Sequence, residues 1–370
     1  MEENDFKRDL ERFVSINIKP NARLYDQKGG IPESLIKRIA EKGYLGCNIP
    51  SQYGGSNLNS QQIGLINELF ARESPSVRSL FTVQGMVSLA ICRWGTKEQQ
   101  KKWLPRLASG EIIGAFALAE VQAGSDAGNI SSSYTHKENY FTINANKVWV
   151  TFGQIAKLFL VFAINNGQCS VFLVEWAHEG IQIKKTEGLL GVRASMVASV
   201  TFKNCVIPEE NILGVEGAGL THIAPSCLDY GRFTVAWGCV GICQACLDYV
   251  LSYTSERKQF GSFLKEFQLI QGMLSSMIAQ TKAARLMCDS INTLRDDGDP
   301  ASIIETCLAK YFASQAANDV SSKAVQIFGA NGCIADYPIE RFYRDSKINE
   351  IIESTTQILE ILIAGNYTGS

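Results

Sequence analysis

Apolar positions in residues 1–111 recur every three or four places, the period of a helix with one buried face. Phe6, Leu10, Phe13 and Val14 form one such stripe. Leu35, Ile36, Ile39 and Ala40 form a second after Pro32, which suits a first helical turn, and Ile63, Ile66, Leu69 and Phe70 form a third. Gln52-Tyr53-Gly54-Gly55 reads as a turn, because glycine accepts backbone angles that other residues resist, and Gly110 closes the region. Over residues 112–215 the pattern shortens to β-rich runs at 140–143, 147–151, 158–163, 170–174 and 199–202, with Asn165-Asn166-Gly167 as a hairpin signal between two of them. Few helical patterns separate these runs, which predicts an antiparallel sheet or barrel. Pro208, Gly214, Gly217 and Gly219 mark the exit. From 216 to 370 the period is helical again, with long helices predicted at about 236–257, 267–295 and 303–328, the last two parted by Asp296-Asp297-Gly298-Asp299-Pro300. Long helices joined by short loops make a bundle. The chain is therefore expected to be α+β, with a helical domain at 1–111, a β domain at 112–215 and a helical bundle at 216–370.

Length agrees, since 370 residues exceed what one core supports. A chain 46% hydrophobic and 19% charged is expected to fold, and a formal charge of -2 gives no overall electrostatic reason to bind nucleic acid. The amino-terminal MEENDFKRDLERF lacks the apolar stretch of a secretory signal, and no uninterrupted apolar run is long enough to span a bilayer. A cytoplasmic protein with no membrane partner is the expectation. Its eleven cysteines then read as reduced thiols rather than a disulfide framework. Cys239, Cys243 and Cys246 share one helical face with Val240, Leu247 and Val250; they read as packed core thiols, since the three histidines, His136, His178 and His222, offer no nearby partner for a metal site.

One stretch stands out. Residues 341–357, RFYRDSKINEIIESTTQ, begin as a charged surface helix bearing Arg341, Arg344, Asp345 and Lys347, turn apolar at Ile348, Ile351 and Ile352, and deliver Glu353 into Ser354, Thr355 and Thr356. A carboxylate beside isoleucines is costly to desolvate and can act as a base near neutral pH; the alternative is a helix-capping or solvent-facing glutamate. The usual fingerprints do not help. There is no GxGxxG after a strand, no GxxxxGK[ST] and no GxSxG.

Six collinear motifs resolve the question: IPSQYGGS at 49–56, AEVQAGSD at 119–126, KVWVTFG at 147–153, ERKQFG at 256–261, QIFGANG at 326–332 and YRDSKINEIIESTTQI at 343–358. With them the chain resembles the acyl-CoA dehydrogenase family over about residues 5–366. The resemblance implies a central antiparallel β-barrel domain between an N-terminal helical domain and a C-terminal four-helix bundle. It also implies FAD, with Phe116, Leu118, Ala119 and Ser125 along the flavin's pyrimidine edge, Trp149 and Thr151 against the isoalloxazine, Arg257 on the pyrophosphate and Phe260 beside the cofactor. Gln326, Gly329 and Gly332 match the segment that reaches FAD across a subunit interface, and Thr355 and Gln357 the contacts beyond the base, so a homodimer or homotetramer is implied.

Glu353 falls on the family's usual base, which removes an acyl α-proton while hydride leaves the β-carbon for the flavin. Some relatives carry the base one place before Arg232; that place is Gly231 here. Arg232 itself is expected to organise the loop around Glu353. Two departures stand out: Ala119 replaces a hydroxyl residue, and Ser354 replaces the glycine that usually follows the base. TVQGM at 82–86, QAGSD at 122–126 and YGRFTVAWGCVGI at 230–242 are similar to the branch acting in polyketide assembly. That similarity implies oxidation of a three-carbon, glycerate- or serine-derived unit on an acyl carrier protein towards hydroxymalonyl or aminomalonyl extender units. The alternative is α,β-dehydrogenation of a short or branched acyl-CoA; in either case the electron acceptor is unidentified. Basic Arg257, Lys258 and Lys265 are the expected docking residues for an acidic carrier.

Overall fold

The structure, a computed structural model, describes residues 3–369. Met1 and Glu2, which open the charged amino-terminal stretch, and Ser370 lie outside the described residues. Six helices come first: α1 (Glu3–Asn17), α2 (Ala22–Lys28), α3 (Glu33–Glu41), α4 (Ser60–Glu73), α5 (Pro75–Trp94) and α6 (Lys97–Ala108). Their ends are written locally. Asn59 with Gln62 and Thr96 with Gln99 form reciprocal capping boxes, and Ser74 accepts from Val77 ahead of Pro75 in the first turn of α5.

Seven strands follow: β1 (Gly114–Ala117), β2 (Ser133–Lys137), β3 (Tyr140–Val150), β4 (Leu158–Asn165), β5 (Gln168–Glu175), β6 (Ile181–Lys185) and β7 (Ala198–Pro208). The Asn166-Gly167 hairpin forms, both residues having positive φ between the paired Asn165 and Gln168. The runs at 140–143 and 147–151 are not separate strands: both belong to β3, whose pairing with β7 shifts register twice. Nor is the sheet wholly antiparallel. β1 runs parallel to β4 and β2 touches β4 in parallel, because the chain crosses over to insert β4 beside both. Leu158, Leu160 and Phe162 of β4 join the helical core, while Phe159, Val161 and Ala163 face a second core inside the curled sheet. Burial on both faces explains the strand's continuous apolar run.

The bundle comprises α7 (Ala224–Glu256), α8 (Gln268–Asp296), α9 (Ala301–Phe328), α10 (Ile339–Asn349) and α11 (Thr356–Thr368), with the short hairpin β8 (Lys258–Gln259) and β9 (Ser262–Phe263) after α7. α7 begins twelve residues before the expected 236, because burial of Cys227, Tyr230, Arg232 and Phe233 carries a stretch whose Pro225 and Gly231 argue against helix. Residues 219–256 are long and apolar enough to cross a bilayer by composition, but 78% of their most apolar window is buried inside the protein. Cys239, Cys243 and Cys246 are free thiols in that core.

The expectation that 341–347 is a charged surface helix is corrected. Arg341 and Asp345 are buried: Arg341 donates to the Glu73 carbonyl at 2.7 Å, Asp345 accepts from the Val192 amide at 2.6 Å, and Arg344 pairs with Asp26 and Glu340. The charges of α10 thus bind helices α2 and α4 and the 188–197 loop, and partners so distant in sequence leave no trace in the local pattern.

Candidate active site

Helix α10 ends at Asn349, and a tight reversal leads to Thr355, whose hydroxyl caps α11 by accepting from Ile358. Glu353 and Ser354 inside that reversal both take left-handed angles, φ 51° and 82°, which cost about 1 kcal/mol or more apiece for residues with a side chain. The Glu353 carboxyl is turned inward against the start of α7. A Cβ placed on Gly231 would lie 2.2 Å from its Oε2 and 2.6 Å from its carboxyl carbon, so only glycine leaves room for it.

Oε2 is buried and has no hydrogen-bond partner. Burial raises this carboxyl to about 7, against the opposing pull of Arg232, Lys310 and Arg78. Arg232, buried on α7, donates to the Ser354 hydroxyl at 2.9 and 3.3 Å and to Cys307 Sγ at 3.6 Å. Lys310, buried on α9, donates to the carbonyls of Ser354 at 2.6 Å and Glu350 at 3.4 Å.

Arg78 is fully buried on α5 beneath Gly238, seven residues along α7 from Gly231 and so on the same face. The acceptors it meets are neutral, Thr82 Oγ1 at 2.8 Å and Asn349 Oδ1 at 3.1 Å, while its Nε has none. Thr82 in turn pairs with Thr234 at 2.8 Å. On the side of Arg232 and Cys307 opens a cleft of about 1180 Å³, bordered also by Leu89, Arg93, Tyr230 and Phe233.

The β domain brings a second set of residues into one neighbourhood. The main chain at Leu118 and Ala119 is tied to β3: Lys147 Nζ donates to the Leu118 carbonyl at 2.9 Å and the Val148 amide to the Ala119 carbonyl at 2.9 Å. Phe116 packs on Phe162, Ser125 is exposed on the following loop, and Thr151 is half-buried just past the second register shift. Trp149, at that shift, has φ 58° and stands 63% exposed, an aromatic platform that the described residues leave largely open. The amide of Phe152 donates to Ser195, in the same loop that Asp345 holds, so this edge of the sheet is tied to α10 and hence to the reversal carrying Glu353. Gln357 is exposed in the first turn of α11.

A third set lies elsewhere. Arg257 ends α7, 26 residues and about 39 Å of helix from Gly231. Phe260 is 97% exposed on the hairpin beyond it. Gln326 and Gly329 are at the same end, because Tyr253 stacks on Phe328 at 4.0 Å and accepts from Asn331; Gly332 follows, buried. Lys258 and Lys265, which flank Phe263, are there too. The basic residues expected to dock a carrier are therefore remote from this chain's own cleft, whose rim carries Arg93 and an Arg295 already paired with Asp229 at 2.7 Å.

Three matches span almost the whole chain. Residues 1–111 match the acyl-CoA dehydrogenase N-terminal domain, 115–205 the middle domain and 217–368 the C-terminal domain. The chain belongs to the acyl-CoA dehydrogenase family. It is 34% identical to the mitochondrial short-chain specific acyl-CoA dehydrogenase of Sus scrofa, over 97% of this chain and 88% of that one. Among solved structures it resembles butyryl-CoA dehydrogenase from Megasphaera elsdenii, with TM-score 0.95 at 31% identity over 99% and 97% of the two chains. It also resembles FkbI, described as acting in biosynthesis of the methoxymalonyl extender unit of a polyketide, with TM-score 0.89 at 28% identity over 97% and 98%.

As an acyl-CoA dehydrogenase the chain is an FAD-dependent oxidoreductase acting on acyl thioesters. The residues present fit that cofactor: the indole of Trp149 is largely exposed, and Oε2 of Glu353 is buried without a hydrogen-bond partner. Arg78 and Lys310 were not legible as site residues, since each looks like an ordinary helix-surface cation. The one available signal is that Arg78 is the only charge between Glu73 and Arg93.

Proposed function

We propose that this chain oxidises a short acyl thioester bearing a polar group, a glyceryl- or seryl-derived three-carbon unit on an acyl carrier protein, with Glu353 as the base. The observation that carries the polar substrate is Arg78: a buried guanidinium whose hydrogen-bond acceptors, Thr82 and Asn349, are neutral, whose Nε has no acceptor, and whose counter-charges are the Glu353 and Asp345 carboxylates, against the α7 face that also meets Glu353. A hydroxyl, amine or carboxylate on the substrate suits so polar and cationic a neighbourhood, whereas a saturated hydrocarbon tail makes no polar contact with it. The resemblance to FkbI supports the same direction.

In this reading Glu353 takes the proton of the C3 hydroxyl, or of the hydrate of a C3 aldehyde, with Arg232 and Lys310 holding the reversal that aims it. FAD, when bound, supplies the two-electron acceptor for the C3 hydride. Phe116, Leu118, Ala119, Ser125, Trp149, Thr151, Thr355 and Gln357 would hold the cofactor from this chain. Arg257, Phe260, Gln326, Gly329 and Gly332 would hold it from a second copy.

The 34% identity to a short-chain enzyme favours a second reading, α,β-dehydrogenation of a short or branched acyl-CoA, in which Glu353 takes the α-proton. One experiment separates the two. Anaerobic holoenzyme is mixed with glyceryl- or seryl-carrier protein, and separately with butyryl-CoA or isobutyryl-CoA, and flavin bleaching is followed. Bleaching by the carrier-bound units, lost about 100-fold in Arg78→Met, is the expected result. Rapid bleaching by butyryl-CoA alone, indifferent to Arg78→Met, establishes the second reading instead.

A further inference from the structure

Between α10 and α11 the backbone is held in a shape that its own residues disfavour. Glu353 and Ser354 are consecutive left-handed residues, neither of them glycine. Their angles persist because the reversal is fastened: Arg232 holds the Ser354 hydroxyl, the Thr356 amide donates to the Glu350 carbonyl, and Lys310 reaches from α9 to the Ser354 and Glu350 carbonyls. The Thr356–Glu350 bond closes the reversal from within; of the side chains that reach it from other helices, only Lys310 grips the backbone on both sides of Glu353. Its side chain is fully buried, so its charge acts without screening by solvent.

We propose that Lys310 is a positioning residue for Glu353: its ammonium clamps the left-handed reversal through the Ser354 and Glu350 carbonyls and so fixes where the carboxyl points. Its charge also opposes the effect of burial on that carboxyl. The proposal rests on the reading of Glu353 as the base. The charged and titratable groups around that carboxyl are Arg232 and Cys227 from α7, Arg78 from α5 and Lys310 from α9, with Glu350 and Cys239 facing the lysine. Burial lowers Lys310 to about 8, so it is the cation here that can lose its proton.

The test is an infrared titration of the holoenzyme without substrate, in which the protonated-carboxyl band of Glu353 is assigned by its disappearance in Glu353→Gln. In the wild-type enzyme the band is expected to titrate near pH 7. Lys310→Met removes charge and clamp, and Lys310→Gln removes the charge but keeps a donor for the Ser354 carbonyl. Both are expected to raise the midpoint by about one unit or more, and Lys310→Arg to keep it within about half a unit.

At pH 7 such a shift lowers the ionised share from about one half to about one tenth, a roughly fivefold loss of rate. An unmoved midpoint in Lys310→Gln and Lys310→Met overturns the proposal. Should neither variant fold, the wild-type enzyme still decides: deprotonation of Lys310 above about pH 8 should shift the Glu353 carboxylate band, and a band constant to about pH 10 overturns the charge coupling. The reading of Glu353 as base fails separately, by Glu353→Gln bleaching with the tested thioesters as fast as wild type, and the infrared midpoints are independent of that outcome.

Discussion

A carboxyl titrating near 7 is at once a usable base and a burden on the fold. Only the ionised form takes a proton, so kcat/KM should rise about tenfold per pH unit below 7 and level off above it; a profile flat from pH 5 to 9 would contradict the assignment. The stability effect has the opposite sense. The folded-state value lies above the ordinary 4.5, so the folded chain binds this proton more tightly than the unfolded one, and stability falls as pH rises from about 4.5 through 7. The total is about 3 kcal/mol. Glu353→Gln should therefore lower turnover about 10³-fold yet raise the thermal midpoint above pH 7, and a fall there would show that the carboxylate is stabilised in the fold after all. Gly231→Ala should also abolish turnover, since its Cβ falls 2.2 Å from Oε2, while flavin content measured by absorbance is kept. Glu353 was visible in the sequence because its isoleucine-rich approach and hydroxyl-rich exit are local. Arg78 and Lys310 were not, because what makes them part of the site is burial against residues 271 and 44 places away.

Among the elements, the loop between β1 and β2 shows how a flexible stretch is given one shape. Glu120, buried at its root, accepts from Lys147 at 2.7 Å, from the Ser131 amide and hydroxyl at 2.7 and 2.8 Å, and from the Ser132 amide at 3.1 Å, with the Ser132 hydroxyl as a further donor. Burial pushes this carboxyl up, but those donors outweigh it and hold it near 2. Lys147→Met should thus leave a buried carboxylate without its cation, costing about 3 kcal/mol or more of stability, and loosen the 118–126 segment. Thermal unfolding reads the first effect and faster FAD release on dilution reads the second; retention of both wild-type values would show that the pair is dispensable. Continuous β-rich apolar runs and turn chemistry made β4, β5 and their hairpin legible, whereas β1, β2 and β6 went unseen for lack of a strand pattern. β1 has only four residues, and β2 and β6 are largely exposed, so pairing partners rather than side-chain pattern define them.

At the scale of the whole molecule, α7 sets a distance that one chain cannot bridge. Gly231 and Arg257 lie about 39 Å apart on a single helix, so the cofactor beside Glu353 cannot also reach Arg257 and Phe260 of the same chain. If both sets serve FAD, they serve it in pairs: each site joins Glu353 of one copy to Arg257 of another, as a self-complementary interface allows. The exposed aromatic ring of Phe260 and the exposed side chain of Leu269 at that end are the apolar surface such an interface would cover. Complementation tests the arrangement. Glu353→Gln and Arg257→Ala chains are each expected to be nearly inactive as homo-oligomers, the first for want of the base and the second through weakened FAD binding. When they are co-expressed and assembled together, each mixed pair contains one site with Glu353 from one chain and Arg257 from the other. That site is wild type only if the two residues come from different copies. Recovery of about half the wild-type activity per mixed pair, with FAD retained at one site in two, is the expected outcome. No recovery, in pairs shown by mass to be mixed, would mean that Arg257 serves its own chain or none, and the segments at the far end of the bundle would lose their place in the site.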